Sequence, residues 1–313
     1  MSVIALDLGG TRIKFGLVEN GQLLASANVA VPSSESFAAV LPIIETQVER
    51  LLAAAGRQKI TGIGMAFPTI VDSDQMRLLY KYTKYNDAND LDLMGWAKDT
   101  WGVPLAMEND ARAALIGEWQ AGAGKGTDNL VMVTIGTGVG SAALVNGRLL
   151  KGSHYLAGNL GGHMAVNFDG GRCNCGNVGC LESEASSWAL PEILKRQPGY
   201  AESPFAGDEK PDFEAVFRLA AAGEPFALAV RNRCLEAWVT GILNLVYAYD
   251  PERVVIGGGV MHSADVILPF IQNKINQAAW LPPNAVEVVA AQEPDWAGVL
   301  GMGYLTFKTT QKN

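Results

Sequence analysis

Residues 3–26 have the sequence VIALDLGGTRIKFGLVENGQLLAS, and residues 130–152 have the sequence LVMVTIGTGVGSAALVNGRLLKG. In each stretch an apolar run leads into a Gly-rich turn, a second apolar run follows, and an Asn-Gly pair marks a hairpin turn. The two stretches lie about 126 residues apart, far longer than the period of a solenoid repeat. The sequence therefore predicts a duplicated domain in which each half begins with three strands, and a chance match of two Gly-rich hairpins is the alternative.

The turn between the first two strands suits a bound phosphate. Gly9 and Gly10 let the backbone approach a ligand closely, and Thr11 adds a hydroxyl beside their amides. Asp7 ends the first strand and fits either a hydrated Mg²⁺ or a cap of the turn. The turn is neither a Walker loop nor a dinucleotide fingerprint, because it lacks G-x-x-x-x-G-K-[ST] and is followed by a strand instead of a helix. Two such turns facing each other across a cleft would hold a polyphosphate.

Two further junctions between predicted elements carry candidate functional groups. Asn109 and Asp110 lie where the strand VPLAMEND meets the helix ARAALIGEWQAG. A carboxylate at this position is either a helix N-cap or a catalytic group at the C-terminal edge of a sheet, and both roles are compatible. Residues 257–259 are three glycines after the strand ERVVI, which indicates either a tight turn or a backbone lying against a flat ligand.

The stretch from His163 to Glu182, HMAVNFDGGRCNCGNVGCLE, contains a set of metal ligands. Zinc takes four nitrogen or sulfur ligands, and one histidine with Cys173, Cys175 and Cys180 leaves no position for water, so we predict a closed structural site. A disulfide is the alternative. Cys173 and Cys175 are too close in sequence to pair comfortably, and disulfides are rare in a reducing compartment. The fourth thiol, Cys234, lies in an apolar pattern and is predicted to be a buried helix residue.

Length and composition limit the number of domains and the classes of binding partner. A chain of 313 residues predicts two domains, and 49% hydrophobic with 18% charged residues is typical of a folded globular protein. The sequence contains no apolar run long enough for a membrane span and no signal-peptide pattern at its start, so we expect a cytoplasmic protein that does not bind membranes. A net charge of −8 without a basic run argues against nucleic-acid binding.

Taken in order, these motifs resemble those of the ROK family of sugar kinases and sugar-responsive repressors. DLGGTRIKFGLV is similar to the first phosphate motif of that family, ENDARAAL to its catalytic segment, TIGTGVGSA to its second phosphate motif, and CNCGNVGCLE to its zinc signature. The resemblance covers almost the whole chain, and the zinc signature is its most specific part.

The resemblance implies an α/β architecture with a duplicated actin-like, hexokinase-like (ribonuclease H-like) fold, in which two lobes surround a central cleft. We expect residues 1–117 to form the small lobe, completed by a C-terminal helix at 297–313, and residues 118–296 to form the large lobe with the zinc loop. It further implies an ATP-dependent hexose kinase that phosphorylates the 6-hydroxyl of a glucose-like, N-acetylated or glycosidic hexose. The implied cofactors are ATP, Mg²⁺ and structural Zn²⁺, and the implied assembly is a homodimer.

The resemblance also assigns roles to individual residues. Asp110 corresponds to the general base, Asn109 and Glu182 to sugar-binding residues, and His163 to a zinc ligand that also faces the sugar. The phosphate-binding positions correspond to Asp7, Gly9, Gly10, Thr11, Gly136, Thr137 and Gly138, and the adenosine side corresponds to Gly257, Gly258 and Gly259.

The chain departs from the family pattern at two places. Where the family has A-G-E-x-G-H, with a sugar-binding Glu, residues 157–163 are AGNLGGH, one residue longer and with Asn159 in place of the Glu. Where the family has P-G-P-V-D, residues 68–72 are PTIVD, so that Thr69 replaces a glycine. The resemblance places both positions near the sugar, so the identity of the hexose stays open.

Two other functions compete with a kinase. Sugar-sensing repressors of the family carry a helix-turn-helix before the first phosphate motif, and we do not expect one here because Asp7 of that motif lies so early in the sequence. An actin-like ATPase would need neither the zinc loop nor the sugar-binding residues. We therefore expect a sugar kinase whose partners are ATP and a small sugar.

Overall fold

The computed structural model of the chain describes residues 1–31, 36–56, 59–81, 85–278 and 280–311. The chain divides into two compact units, the first comprising 1–126, 151–157 and 292–313 and the second comprising 127–150 and 158–291. Residue 117, where we expected the small lobe to end, lies inside a continuous helix that belongs to the first unit. The lobe limits given above stay a prediction.

The elements of the described residues follow in chain order. The strands are β1 (Ser2–Leu8), β2 (Arg12–Glu19), β3 (Gln22–Ala30), β4 (Ile60–Phe67), β5 (Val71–Asp72), β6 (Arg77–Leu78), β7 (Leu105–Asn109), β8 (Leu130–Ile135), β9 (Val139–Val145), β10 (Arg148–Leu149), β11 (Arg253–Gly257) and β12 (Glu287–Ala290). The α-helices are α1 (Phe37–Ala54), α2 (Leu93–Trp101), α3 (Asp110–Ala121), α4 (Leu181–Ala185), α5 (Leu190–Arg196), α6 (Phe213–Ala221), α7 (Pro225–Tyr249), α8 (Ala264–Asn276) and α9 (Ala297–Thr310). Short 3₁₀ helices occupy Ala88–Asp90, Gly161–His163, Tyr200–Glu202 and Gly259–Ser263.

Each unit is built on a five-stranded sheet, and the two sheets have the same topology. The first has the order β3-β2-β1-β4-β7 and the second the order β10-β9-β8-β11-β12. In both, the three hairpin strands are antiparallel to one another, and the last two strands run parallel to the first. This repeated order confirms the duplication that the two Gly-rich hairpins predict.

The parallel strands place the candidate site residues at one edge of each sheet. Asp7 of β1 pairs with Ala66 of β4, and the next residue of β4, Phe67, pairs with Asn109 of β7. In the second sheet Thr134 of β8 pairs with Gly257 of β11. Because parallel strands end at the same edge, Asp7 and Asn109 share one edge of the first sheet, and the second Gly-rich turn follows the matching edge of the second sheet.

The first sheet is covered on both faces. Because side chains alternate along a strand, Ile4 and Leu6 of β1 pack on the face that α1 covers, whereas Val3 and Ala5 pack on the face that α9 covers. The face under α9 is lined by small side chains. α9 also packs tightly against α3, since a Cβ at Gly301 would overlap the Ala113 carbonyl.

The second unit is organised around the long helix α7. Trp238 in its middle is fully buried, packs against Phe213 and Phe217 of α6, and donates from Nε1 to the Ala185 carbonyl at 2.8 Å. Cys234 is also fully buried in α7, as the apolar pattern predicts. Within the described ranges, none of the helices combines the length and apolarity needed to cross a membrane.

Candidate active site

The start of α3 positions the predicted catalytic residue. Asn109 is the N-cap: its Oδ1 accepts from the Arg112 amide at 3.1 Å, and its Nδ2 donates to the Thr69 carbonyl at 3.1 Å and to Asp110 Oδ1 at 2.8 Å. The Asn109 side chain is 5% exposed and its two polar groups are both engaged. The cap of this helix is therefore Asn109, and Asp110 occupies the first helical position. The Asp110 carboxylate accepts from the Asn109 side chain and from the Ala111 amide.

Asp110 has the electrostatics of a general base. Its pKa is raised from 3.8 to about 7, first by burial and second by the charge of Asp7, while the Ala111 amide and the Asn109 side chain oppose the rise. Burial also raises the pKa of Asp7, against the attraction of Lys14 on the neighbouring strand. The charge of Asp7 at the same sheet edge thus adds to burial in raising the proton affinity of Asp110, which suits a carboxylate that accepts a proton near neutral pH.

The first Gly-rich turn lies beside Asp7. The Gly9 amide donates to the Asp7 carbonyl at 3.2 Å, and a Cβ at Gly9 would lie 2.8 Å from the Arg12 carbonyl, so this tight turn favours glycine. The Gly9 carbonyl accepts from the Tyr85 hydroxyl at 2.9 Å. Gly298 in the first turn of α9 has no side chain to displace Asp7, since a Cβ there would lie 2.8 Å from Asp7 Oδ2.

In the second unit, Glu182 holds the second Gly-rich turn. Its Oε2 accepts from the Val139 amide at 2.8 Å, and its Oε1 accepts from Trp188 Nε1 at 3.1 Å. A Cβ at Gly138 would collide with this carboxylate. The amide of Trp188 in turn donates to the Thr137 carbonyl at 3.0 Å. Glu182 is 8% exposed, so the structure brings this predicted sugar-binding residue together with the predicted phosphate residues 136–138.

Residues 158–163, which depart from the family pattern, lie against β9. Ser141 Oγ donates to the Gly158 carbonyl at 2.7 Å and accepts from the Gly161 amide at 2.8 Å. A 3₁₀ turn follows, in which the His163 amide donates to the Leu160 carbonyl at 3.0 Å. Asn159 within this segment is 7% exposed. The Ser141 hydroxyl therefore fixes the backbone on both sides of Asn159.

His163, Cys173, Cys175 and Cys180 form one cluster whose ligand atoms all lie within 4.8 Å of one another. Cys173 Sγ is 3.5 Å from His163 Nδ1, and Cys175 Sγ is 3.6 Å from Cys180 Sγ. In a tetrahedral site with Zn–S of about 2.3 Å and Zn–N of about 2.0 Å, two sulfurs lie about 3.8 Å apart and a sulfur and a nitrogen about 3.5 Å apart, so both distances match edges of such a tetrahedron. The four residues predicted from the sequence are thus brought together, and their donor set fits zinc.

Glu184, a buried carboxylate that the sequence did not reveal, anchors the loop of residues 163–180 that carries the four metal ligands. Glu184 of α4 accepts from the Gly171 amide at 2.6 Å and from Asn167 Nδ2 at 3.0 Å, and it pairs with Arg196 at 3.2 Å and Arg233 at 2.7 Å. Burial alone would raise its pKa, but these donors lower it, led by the Gly171 amide. Glu184 follows Glu182 by two residues, and the only signal in the sequence was the acidic pair itself.

The three glycines after β11 differ from one another. Gly258 has φ +96°, and a Cβ there would overlap the Ile135 backbone, so both its conformation and its packing require glycine. A Cβ at Gly259 would meet nothing within 4 Å, and one at Gly257 would make ordinary contacts. The tight-turn interpretation therefore accounts for Gly258, and Gly259 alone leaves open space beside its backbone.

Arg112 is a second buried charge that the sequence analysis did not identify. It pairs with Glu108 at 3.5 Å, and its Nη2 donates to the carbonyls of Tyr155 at 2.9 Å and Ala157 at 3.0 Å. Burial lowers the pKa of this guanidinium, and the Glu108 charge opposes that shift. Arg112 thus ties residues 151–157 to the helix that carries Asp110.

The sequence is similar to proteins of one family over most of its length. The ROK family model matches residues 3–309. The glucokinase of Thermotoga maritima is 30% identical over 96% of this chain and 96% of its own length. The xylose repressor of Bacillus subtilis is 28% identical over 78% of this chain and 60% of its own length. Kinases and repressors are therefore both among the relatives.

Two solved structures share the fold. A ROK hexokinase from Thermus thermophilus superimposes with a TM-score of 0.81 at 29% identity, covering 99% of both chains. A ROK family glucokinase from Streptomyces griseus, solved with glucose and AMPPNP, superimposes with a TM-score of 0.77 at 26% identity, covering 98% of this chain and 100% of the other. These matches confirm the actin-like, hexokinase-like fold class. With two equivalent sheets, a Cys₃His cluster and a family match over nearly all its residues, the chain belongs to the ROK family.

Proposed function

We propose that the protein is an ATP-dependent hexose kinase that transfers the γ-phosphate of ATP to a sugar hydroxyl, with Asp110 as the general base. The observation that carries the proposal is the carboxyl of Asp110, whose pKa of about 7 results from burial and from Asp7. A sugar hydroxyl is a poor nucleophile at neutral pH, so a carboxylate must accept its proton as the bond to phosphorus forms. The proton passes to Asp110, the new ester bond forms on the sugar oxygen, and ADP leaves.

Phosphoryl transfer asks the protein mainly for positioning and for charge stabilisation. We assign phosphate binding to the turn at Gly9, Gly10 and Thr11 and to the turn at residues 136–138, and adenosine binding to the turn at 257–259. Asp7 would hold Mg²⁺, because a hard divalent cation prefers carboxylate oxygen and would relieve the repulsion between Asp7 and Asp110. When bound, this ion neutralises charge that develops on the phosphoryl oxygens.

Sugar recognition is assigned to Asn109, Asp110, Asn159, His163 and Glu182. Asn109 is supported as a positioning residue, because its amide already serves the helix cap and orients Asp110 Oδ1. Glu182 likewise uses both oxygens within its own unit. We assign the 6-hydroxyl of a glucose-like, N-acetylated or glycosidic hexose as the phosphate acceptor, and identifying the sugar tests this assignment together with that of Asn159.

We assign a structural zinc ion to His163, Cys173, Cys175 and Cys180. The fit of the donor set supports this assignment, since three sulfurs and one imidazole nitrogen leave no coordination position for water. The ion would close the loop between residues 163 and 180, and therefore hold the segment that leads to Glu182. We also propose a homodimer on the family resemblance, to be tested by light scattering after size-exclusion chromatography.

A coupled assay of ADP release tests the function directly. The purified protein is supplied with MgATP and, in turn, glucose, mannose, fructose, allose, N-acetylglucosamine, N-acetylmannosamine and simple β-glucosides. A kinase releases ADP only with its sugar, and a mass increase of 80 Da in that sugar identifies the product. Sugar binding without ADP release would favour a regulator, and sugar-independent ADP release would favour an actin-like ATPase.

A further inference from the structure

Tyr85 makes a long-range hydrogen bond to the first phosphate turn. Its ring is 3% exposed and packs edge-on against Phe37, with centroids 5.2 Å apart. Its hydroxyl donates to the Gly9 carbonyl at 2.9 Å, across 76 residues of sequence. Burial, and then the charge of Asp7, raise the pKa of Tyr85 to about 12, so this hydroxyl keeps its proton at neutral pH. The turn therefore has a permanent donor on one side.

The direction of the Gly9 carbonyl fixes the direction of the next amide. A trans peptide is planar, so the carbonyl of residue 9 and the N–H of Gly10 point in opposite directions. Because Gly9 and Gly10 have no side chains, rotation of this peptide meets little steric resistance. Among the described residues, the Gly10 amide has no backbone acceptor. A hydrogen bond that holds the carbonyl towards Tyr85 thus holds the Gly10 N–H on the opposite side of the peptide.

We propose that Tyr85 is a positioning residue for ATP, which keeps the Gly10 amide turned towards a bound phosphate by holding the Gly9 carbonyl. This inference rests on the proposed kinase function, because it takes the turn at residues 9–11 as a phosphate site. Without the hydroxyl, the peptide samples both orientations, and MgATP must select the one that donates. The effect falls on nucleotide binding and leaves the sugar side unchanged.

Tyr85→Phe tests the proposal, because it removes the hydroxyl and keeps the ring packed on Phe37. The loss of one hydrogen bond predicts a rise of about three- to tenfold in KM for ATP. KM for the sugar should stay within twofold of the wild-type value. The melting temperature should shift only slightly. Tyr247→Phe is the matched control, since Tyr247 is 53% exposed on α7 in the other unit.

Titration calorimetry with MgATP gives a second readout that needs no turnover. If no sugar is phosphorylated by the wild type, the kinase proposal fails, yet the affinity for MgATP still decides the role of Tyr85. A three- to tenfold weaker Kd in Tyr85→Phe supports that role. An unchanged Kd and an unchanged KM for ATP overturn it, and so does an equal rise in KM for ATP and for the sugar.

Discussion

Replacing Asp110 by asparagine should make the protein less active and more stable. The carboxyl has a pKa of about 7 in the folded chain against 3.8 as its reference value. That difference corresponds to at most about 4 kcal/mol of preference for the protonated form. The asparagine oxygen can still accept from Ala111 and Asn109, while no charge needs to be buried.

The sign of the stability change follows from where each state ionises. In the unfolded chain Asp110 loses its proton near pH 4, whereas the folded chain holds it until about pH 7. The wild type therefore loses stability as the pH rises from about 4 to 7, and the asparagine variant does not. At pH 8 the variant should unfold at a temperature a few degrees higher, and near pH 4 the difference should vanish.

The activity should change in the opposite direction. An amide cannot accept the proton of the sugar hydroxyl, so kcat should fall by about 10²–10⁴-fold while sugar binding persists. The wild-type kcat/KM should rise about tenfold per pH unit below pH 7 and level off above it, because this ratio reports groups of the free enzyme. Coupled ADP release and calorimetric melting from pH 5.5 to 9 measure both effects. A variant within a few-fold of the wild-type kcat, or one that melts lower at pH 8, would refute this account of Asp110.

Three further perturbations test the neighbouring features. Cys175→Ser combined with Cys180→Ser should abolish the single zinc per chain that metal analysis of chelator-free protein is expected to find, and zinc retained by the double variant would contradict the assignment. Asn159→Glu should shift the ranking of sugars towards plain glucose, because a carboxylate accepts from two adjacent hydroxyls with charge-assisted bonds of about 1.5–3 kcal/mol each; an unchanged ranking would rule this out. Glu184→Gln should lower the unfolding free energy by about 2–3 kcal/mol at pH 7, since Arg196 and Arg233 lose a buried partner, and the loss should shrink as the pH falls through the lowered pKa of Glu184. Equal urea midpoints for wild type and this variant would show that the loop does not depend on that carboxylate.

The features that the sequence predicted well are local ones. Residues 3–26 contain apolar runs separated by a Gly-rich turn and an Asn-Gly turn, so strands and turns are both visible within a short window. The same is true of the Cys cluster, where three ligands lie within eight residues. The site edge could also be predicted, because Asp110 follows a buried strand directly.

The features that the sequence did not reveal depend on distant contacts. Tyr85 meets Gly9 across 76 residues, and Glu184 meets Arg233 across 49 residues. Nothing in the local pattern around Tyr85 or Glu184 distinguishes them from surface residues of the same type. The sequence likewise suggested the carboxylate of Asp110 as the helix cap and did not single out Asn109, because both side chains cap helices well and only the backbone geometry decides between them.

The placement of α9 has a consequence for synthesis on the ribosome. The small-residue face of the first sheet, which includes Val3 and Ala5, is complete early in translation, but the helix that covers it is made of residues 297–310. A nascent chain must therefore carry this face uncovered while all of the second unit is being synthesised. Alanine and valine offer less adhesive surface than the leucine, isoleucine and phenylalanine of the opposite face, which α1 can cover at once. The order of emergence thus leaves the less aggregation-prone face of the sheet waiting for its partner.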